Sequence, residues 1–520
     1  MFGGAAWSDT RAKAKGESES PLAKKYLIET FGCQMNFHDS ERMAGLLDQA
    51  GYEATTEDTD ADVIVINTCS VREHAEEKLY TRLGELRVLE AETGRKPVVA
   101  VAGCVAQQEG ESLLKRTNGH VIDVVMGTRR LKMLPTLVEK ATRSPFAEVD
   151  INPWDDVTFP LGITRRSDPV KAYVTIIEGC NDHCAFCVVP HTRGHERMRA
   201  RADILADVRD AVDSGRCEIQ LLGQIVNHYQ APDDAACDFA ELLAAVSGIA
   251  GVERIRFASP HPRHTGVRLI QAVRDLPKVC KHLHLPVQSG SSRVLKAMRR
   301  RYSRESYLEL VAQIRDTIPD VTLSTDIIVG FPGETAGDFE ETLSLTEAAQ
   351  YHGMFSFKYS VRPNTLASQR LPDDVSEAEK TARIVALQSL QREIQTRLHE
   401  RAVGTTVAVL IDSASRRRDS VISGRTGGNI VVNCSTPGVG SGEWGGAGPN
   451  PVSSKPESRI PNPGSASEWI GRTVAVEIRR AGPHSLWGDP VVPNVRGREA
   501  ACRRDPAAAT TERPDASWER

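Results

Sequence analysis

Over most of the chain, short runs of β-branched and aliphatic residues alternate with longer stretches whose apolar positions recur every three or four residues. That alternation is the pattern of β–α units. In the first third, residues 25–30 (KYLIET), 62–67 (DVIVIN), 97–102 (PVVAVA) and 121–126 (VIDVVM) predict strands, and residues 39–50 predict a helix capped by Asp39 or Ser40. The unbroken apolar runs fit strands buried on both faces of a parallel sheet. Residues 144–169 interrupt the pattern with proline and aspartate and predict a linker. The alternation then resumes, with strands expected at 172–177, 218–222, 255–258, 282–285, 322–328 and 354–359 and helices at 202–214 and 303–317. About six such units predict a partial or full barrel with its chemistry at the C-terminal ends of the strands. Beyond residue 404, short strands (TVAVLI, NIVVN, TVAVEI) predict a small β-barrel, interrupted at 433–463 by a loop rich in Gly, Ser and Pro.

The expected fold class is therefore α/β in three parts. Residues 24–141 form an N-terminal parallel-sheet α/β domain, 166–398 a (β/α) partial barrel and 400–490 a small β-barrel, with 1–23 and 496–520 expected to be disordered. A length of 520 residues suits this division, and 40% hydrophobic with 26% charged residues is ordinary globular composition. The net charge of −4 gives no global sign of nucleic-acid binding, so any RNA contact must come from local basic patches. No apolar stretch reaches spanning length and the first twenty residues lack an apolar leader, which predicts a cytoplasmic protein with no membrane partner. In that compartment, 11 cysteines argue for metal or redox use over disulfides.

Three of those cysteines, Cys180, Cys184 and Cys187, stand in a CxxxCxxC spacing just after a predicted strand. A four-iron cluster is ordinarily held by four cysteines; three leave one iron open to a small ligand. Such an iron can chelate the amino and carboxylate groups of S-adenosylmethionine and pass an electron into its sulfonium, giving a carbon radical. Cys33, Cys69 and Cys104 each follow a predicted strand of the first domain, one β–α unit apart. The C-terminal ends of parallel strands line one edge, so these three are expected to converge as a second cluster site. Cys217, Cys237, Cys280, Cys434 and Cys502 show no ligand spacing and are expected to be structural or incidental.

The runs TFGCQMN around Cys33, NTCSVR around Cys69, AGCVAQ around Cys104 and the loop EGCNDHCAFC resemble the radical S-adenosylmethionine methylthiotransferase family, as do HLPVQSGS (284–291) and DIIVGFPGE (326–334). The resemblance covers roughly residues 24–487 and implies an N-terminal methylthiotransferase domain, a radical core and a C-terminal TRAM domain. Gln34-Met35-Asn36, with Ser70-Val71-Arg72-Glu73, resembles the branch that acts on N6-isopentenyladenosine at tRNA position 37. The alternatives are methylthiolation of threonylcarbamoyladenosine in tRNA or of a ribosomal-protein aspartate, and, outside enzymes, an iron-sulfur RNA-binding protein. The sequence departs from the family's usual residues at Ile225, His195, Met198 and Asn364.

The resemblance implies a transferase of sulfur-containing groups with two 4Fe-4S clusters and S-adenosylmethionine as cofactors. The cluster on Cys180, Cys184 and Cys187 would generate a 5′-deoxyadenosyl radical that abstracts the C2 hydrogen of the adenine, and the cluster on Cys33, Cys69 and Cys104 would supply the sulfur. A second S-adenosylmethionine would donate the methyl. No catalytic side chain is expected beyond the cluster ligands. Gly223, Gln224, Gln288, Ser289 and Gly330 are the candidates for holding the cofactor. Arg193, Arg197, Arg199 and Arg201 are expected either to lie on a solvated face or to contact cofactor carboxylate or RNA phosphate. Arg416, Arg417, Arg418 and Arg425 are the candidates for gripping tRNA. Expected partners are a tRNA carrying N6-isopentenyladenosine, an electron donor such as flavodoxin or ferredoxin, and a sulfur or cluster delivery system, with the enzyme a monomer.

Overall fold

The computed structural model describes residues 23–70, 73–117, 121–153, 162–415, 420–436 and 466–491. The segments expected to be disordered, and nearly all of the Gly/Ser/Pro-rich loop, lie outside them. The first unit is a six-stranded sheet of β1 (Lys25–Phe31), β2 (Glu53–Ala54), β3 (Val63–Thr68), β4 (Val98–Gly103), β5 (Val124–Met126) and β6 (Glu148–Asp150). Its order is β2-β1-β3-β4-β5-β6, every pair parallel. All six residues of β3 are buried, because helices cover both faces. The main ones are α1 (Gln34–Gln49), α2 (Glu73–Thr93) and α3 (Cys104–Glu109).

Two expectations change here. Helix α1 starts at Gln34, with Cys33 as its N-cap and Asn36 completing a capping box, so Asp39 and Ser40 lie inside the helix and are buried. Ser40 has another use: its hydroxyl lies 2.7 Å from Thr30 Oγ1. The stretch expected as a linker contributes β6, which pairs with β5 and is fastened where Gln107 Nε2 donates to Ile151 O at 2.8 Å.

The second unit holds β7 (Lys171–Thr175), β8 (Ile177–Glu178), β9 (Arg197–Met198), β10 (Glu218–Leu222), β11 (Arg254–Phe257), β12 (His282–His284), β13 (Thr322–Val329) and β14 (Gly353–Lys358). β11-β10-β7 and β12-β13-β14 form two parallel sheets, linked by an Ile255–Val279 bridge, over one large apolar core. β7 and β14 are thus the outer edges of a partial barrel. The third unit is a closed five-stranded barrel, β15 (Thr406–Ala414), β16 (Val421–Thr426), β17 (Val431–Ser435), β18 (Thr473–Ala481) and β19 (Leu486–Pro490), in the order β15-β16-β17-β19-β18. It closes against the ends of β11 and β13: Arg256 Nη2 donates to Thr426 O at 2.7 Å and Thr322 Oγ1 to Gly428 O at 2.7 Å. Among the described residues no helix is long and apolar enough to cross a membrane.

A buried charge cluster anchors the entry to the second unit. Arg166 and Arg199 reach the two oxygens of Asp207 at 2.6 and 2.7 Å. Burial alone would raise the Asp207 carboxyl, but the guanidiniums of Arg199 and Arg166 outweigh it and hold the group below its usual value. A depressed carboxylate contributes stability above its unfolded value that is lost as pH falls through the folded one, so this contribution should begin to fall near about pH 4 and disappear as the pH drops through the lower folded value. Asp207→Ala should lower the unfolding free energy at neutral pH by about 3 kcal/mol, measured by chemical denaturation, because it leaves buried cations uncompensated.

Candidate active site

The register of the first sheet sets Phe31 level with Thr68 and Thr68 level with Gly103. Cys33, Cys69 and Cys104 follow these residues immediately or one position later, so topology alone gathers three thiols at one sheet edge. Cys33 also caps the sixteen-residue α1, where unsatisfied amide N–H groups favour an anion. Cys69 lies between the other two and shares hydrogen bonds with both. These bonds push Cys33 down to about 5 and Cys104 to about 7, with the Arg193 cation adding to both effects, while Cys69 is raised well above the usual thiol range. Three adjoining sulfur donors, with Cys33 and Cys104 favouring the thiolate and Cys69 supplying their hydrogen bonds, suit an iron-sulfur cluster.

The floor of this site is built from two fully buried asparagines. Asn36 Oδ1 lies 3.2 Å from Cys33 Sγ, and Asn36 Nδ2 donates to Asn67 Oδ1 at 3.0 Å. Asn67 Nδ2 donates in turn to Asn36 O at 2.8 Å and to Ser40 Oγ at 2.9 Å. Two glycines make room. A Cβ on Gly32 would sit 2.6 Å from Asn36 Oδ1, and one on Gly103, whose φ is +93°, would sit 2.4 Å from both Asn67 Oδ1 and Thr68 O.

The CxxxCxxC loop leaves β8 and returns through β9, which pair antiparallel. Gly179 starts it at φ +77°, where a Cβ would meet His195 O at 2.2 Å. Cys180 N donates to Gly194 O at 3.1 Å. Two donors address the sulfurs: Asp182 N lies 3.4 Å from Cys180 Sγ and Arg300 Nη1 3.4 Å from Cys184 Sγ. Arg300 is itself fixed, donating to Pro286 O and Tyr302 Oη at 2.9 Å each. Burial pushes the Cys180 thiol up to about 11 and the Cys187 thiol up to about 12, each raised further by the charge of Cys184. These thiols become good ligands where a bound cation repays the burial of their negative charge, and N–H donors at the sulfurs orient ligands of this kind.

The cofactor candidates fall at strand C-terminal ends on this same edge. Gly223 and Gln224 follow β10, and the buried Gln224 Oε1 has no hydrogen-bond partner among the described residues. Gln288 adopts φ +74°, and its backbone is bonded on both sides to β13, through Asp326 O and Ile328 N, so contact with a ligand falls to its side chain. Ser289 is fully buried, its hydroxyl 3.3 Å from Ser291 N. The Gly330 N–H already donates to Glu334 Oε2 at 2.6 Å, and its φ of +71° with Lys380 against the Cα leaves it a packing role.

Of the arginines after the loop, Arg193 and Arg199 are buried and neither lies on a solvated face nor reaches an external anion, while Arg197 and Arg201 are part-exposed. Arg193 pairs with Asp39 at 2.7 Å, Arg199 with Asp207, and Arg201 with Asp234 at 2.9 Å. Arg193 and Asp39 begin a buried chain of alternating charge, since Arg42 lies 4.0 Å from Asp39 and 3.3 Å from Glu178. Glu178 stands two residues before Cys180, and Asp39 six after Cys33. Around this chain, His38 Nδ1 lies 2.7 Å from Thr175 Oγ1, Thr128 Oγ1 donates to Thr192 O at 2.5 Å and Arg129 Nη2 to Arg193 O at 2.6 Å. These contacts join the first unit to the second, through α1 against β7 and through residues 128–129 against residues 192–193. The contacts between the two units have no signal in the sequence, because partners 64 to 154 residues apart have no spacing.

At the departures from the family pattern, Asn364 adopts φ +66°, a conformation that asparagine tolerates better than most residues. Ile225 is buried, Met198 Sδ accepts from Gln230 N at 3.1 Å and His195 Nδ1 lies 3.3 Å from Asn181 Oδ1. Cys237 and Cys434 are buried in apolar clusters, Cys280 is buried near Arg256, Glu218 and Arg254, and Cys217 is buried and disulfide-bonded, against the expectation of no disulfides, while Cys502 lies outside the described residues. So do Arg416, Arg417 and Arg418. Arg425 is on β16, with its guanidinium 3.4 Å from Asn429 Oδ1 and 3.9 Å from Asp412.

The family described as "Uncharacterized protein family UPF0004" matches residues 25–127, and the Radical SAM superfamily matches residues 174–346. A tRNA-2-methylthio-N(6)-dimethylallyladenosine synthase of Acetivibrio thermocellus is 44% identical over 420 residues, covering 80% of this chain and 86% of the relative. Proteins with the same description from Geobacter metallireducens and Solibacter usitatus are 44% and 40% identical, covering 79% and 90% of this chain and 92% and 98% of theirs.

The glycine at the end of β4 provides a test of the asparagine floor. Gly103→Ala should destabilise the protein by about 1–3 kcal/mol in denaturant unfolding. Gly51→Ala, at φ +84° with nothing within 4 Å, should cost less, since it adds backbone strain without a clash.

Proposed function

Because the chain belongs to the tRNA-2-methylthio-N(6)-dimethylallyladenosine synthase family, we propose that it adds a methylthio group to C2 of N6-isopentenyladenosine at tRNA position 37, beside the anticodon. Membership of the Radical SAM superfamily implies one 4Fe-4S cluster and S-adenosylmethionine. The observation that supports the finer reading best is the pairing of two three-cysteine sets, each at the C-terminal edge of a parallel sheet, joined by the Arg193–Asp39–Arg42–Glu178 chain. One set suffices to make a radical; a sulfur transfer needs a second place to hold sulfur.

In this reading Cys180, Cys184 and Cys187 hold the radical cluster and Cys33, Cys69 and Cys104 hold a second one. The first set would hold a group that supplies one-electron chemistry on S-adenosylmethionine, which a C2–H bond with no acidic proton for a side-chain base calls for, and the second set would hold the sulfur. Arg300 and the Asp182 amide orient Cys184 and Cys180. Gln224, through its unpaired carbonyl, and the side chains of Gln288 and Ser289 hold S-adenosylmethionine, with Gly223 and Gly330 shaping the strand ends around it. Residues 24–141 carry the sulfur site, 166–398 the radical site, and 400–490 grip tRNA through Arg416, Arg417, Arg418 and Arg425. A low-potential donor such as flavodoxin or ferredoxin supplies electrons, and a sulfur or cluster delivery system rebuilds the second cluster. The enzyme works as a monomer in the cytoplasm, where its tRNA is.

Two outcomes test this division of labour. A variant carrying Cys33→Ala, Cys69→Ala and Cys104→Ala should still cleave S-adenosylmethionine but form no methylthiolated nucleoside by mass spectrometry, whereas Cys180→Ala should abolish both. Normal methylthiolation by the triple variant would remove the sulfur role. Replacing Arg416, Arg417 and Arg418 by alanine should weaken tRNA binding and reduce the slope of log affinity against log salt by up to about 3, one per lost phosphate contact; an unchanged slope would count against the grip.

A further inference from the structure

Strand β14 is an outer edge of the partial barrel and presents its two faces very differently. Met354 packs into the core, and Ser356 accepts a hydrogen bond from Gln388, on the helix Glu377–Glu400, at 3.1 Å. The alternate residues Phe355 and Phe357 point to the other side and are 47% and 39% exposed. Two phenyl rings at i and i+2 on one sheet face form an apolar patch that the described residues leave more than a third open to water.

The surroundings of the patch say what covers it. Phe355 is level with Asp326 and Phe357 with Ile328 on the neighbouring β13. Ile328 packs against a cluster formed by Ala185, Phe331 and Tyr359, with Phe186 beside it, so the Phe357 row borders the CxxxCxxC loop itself. One row further from the loop, the His284 ring meets Phe355 edge-on at 6.0 Å, and His284 Nε2 lies 3.3 Å from Asp326 Oδ1. The chain from His284 to Pro286 then leads to Arg300 and through it to Cys184. The other outer strand, β7, is covered by α1 through His38. The open side of the barrel thus offers an aromatic platform with a polar pair at its foot, beside the radical loop.

We infer that Phe355 and Phe357 form the subsite for the prenylated adenine, the base stacking on the ring faces and the five-carbon substituent covering the apolar surface, with His284 and Asp326 facing the polar base edge. This rests on the substrate reading above. A base reacting at carbon must leave the anticodon loop, and flipped bases are held by stacking on aromatic side chains and by hydrogen bonds at their edges.

The test compares binding of the cluster-loaded full-length protein to two anticodon stem-loop RNAs of one sequence, bearing adenosine or N6-isopentenyladenosine at the modified position. The wild-type protein should prefer the prenylated RNA by about tenfold or more, the scale of burying part of the five-carbon apolar group that adenosine lacks. A Phe355→Ala, Phe357→Ala variant should lose that preference, and a Phe355→Tyr, Phe357→Tyr variant should keep it, which separates lost stacking from a disturbed fold. Retention of the full preference by the alanine variant would overturn the inference. So would a wild-type protein that methylthiolates the prenylated RNA while binding both RNAs equally, and that outcome would leave the substrate reading standing. A wild-type protein that methylthiolates neither RNA would overturn the substrate reading, and the inference with it.

Discussion

Four buried side chains of alternating charge, Arg193, Asp39, Arg42 and Glu178, set the geometry on which everything else depends. Ionised groups out of water are stable only when paired with good geometry, and removing any one strands its neighbour as an uncompensated buried charge. Hydrophobic contact between two sheets would tolerate a slide of an ångström or two; a chain of ion pairs does not. The chain runs from the helix capped by Cys33 to the strand that ends two residues before Cys180, and so ties the placement of one thiol set to the other.

Each thiol set has its own local logic. The set of the first sheet is assembled by register, since three neighbouring parallel strands end level and each is followed by a cysteine. Its thiols sit against a helix N-terminus, buried amides and the Arg193 cation, all of which favour negative charge. The radical loop is assembled by sequence proximity, and its thiols are burdened by burial, which raises Cys180 and Cys187. In the first set the protein favours charge at Cys33 and Cys104 but opposes it at Cys69, so full ionisation of either set calls for a bound cation.

The barrel completes the arrangement by leaving one side open. β7 and β14 do not meet, α1 covers β7, and the edge at β14 keeps two phenylalanines in water. Exposed aromatic area of this kind disfavours the free protein slightly and favours any flat apolar ligand that covers it. The C-terminal barrel closes the opposite end of the strands through Arg254 and Arg256, which bond to carbonyls of β16 and the turn after it.

The strands, the three-part architecture, and the two cysteine sets were legible in the linear chain, because hydrophobic periodicity and ligand spacing are short-range properties. The first helix, misplaced by five residues, shows the limit: a cysteine cap backed by Asn36 is invisible to rules built on Ser, Thr and Asp. Strand β6 was hidden for a similar reason, as a three-residue edge strand carries too little pattern to stand out from a proline-rich connection. What only the tertiary structure decided is where side chains distant in sequence come to rest. It turned Arg193 and Arg199 from prospective anion contacts into buried structural cations, engaged the Gly330 amide with Glu334, and left Phe355 and Phe357 uncovered beside the radical loop. Ligand sets written in consecutive residues survive any packing; the partners of a lone charge or ring are settled only when the chain has folded around it.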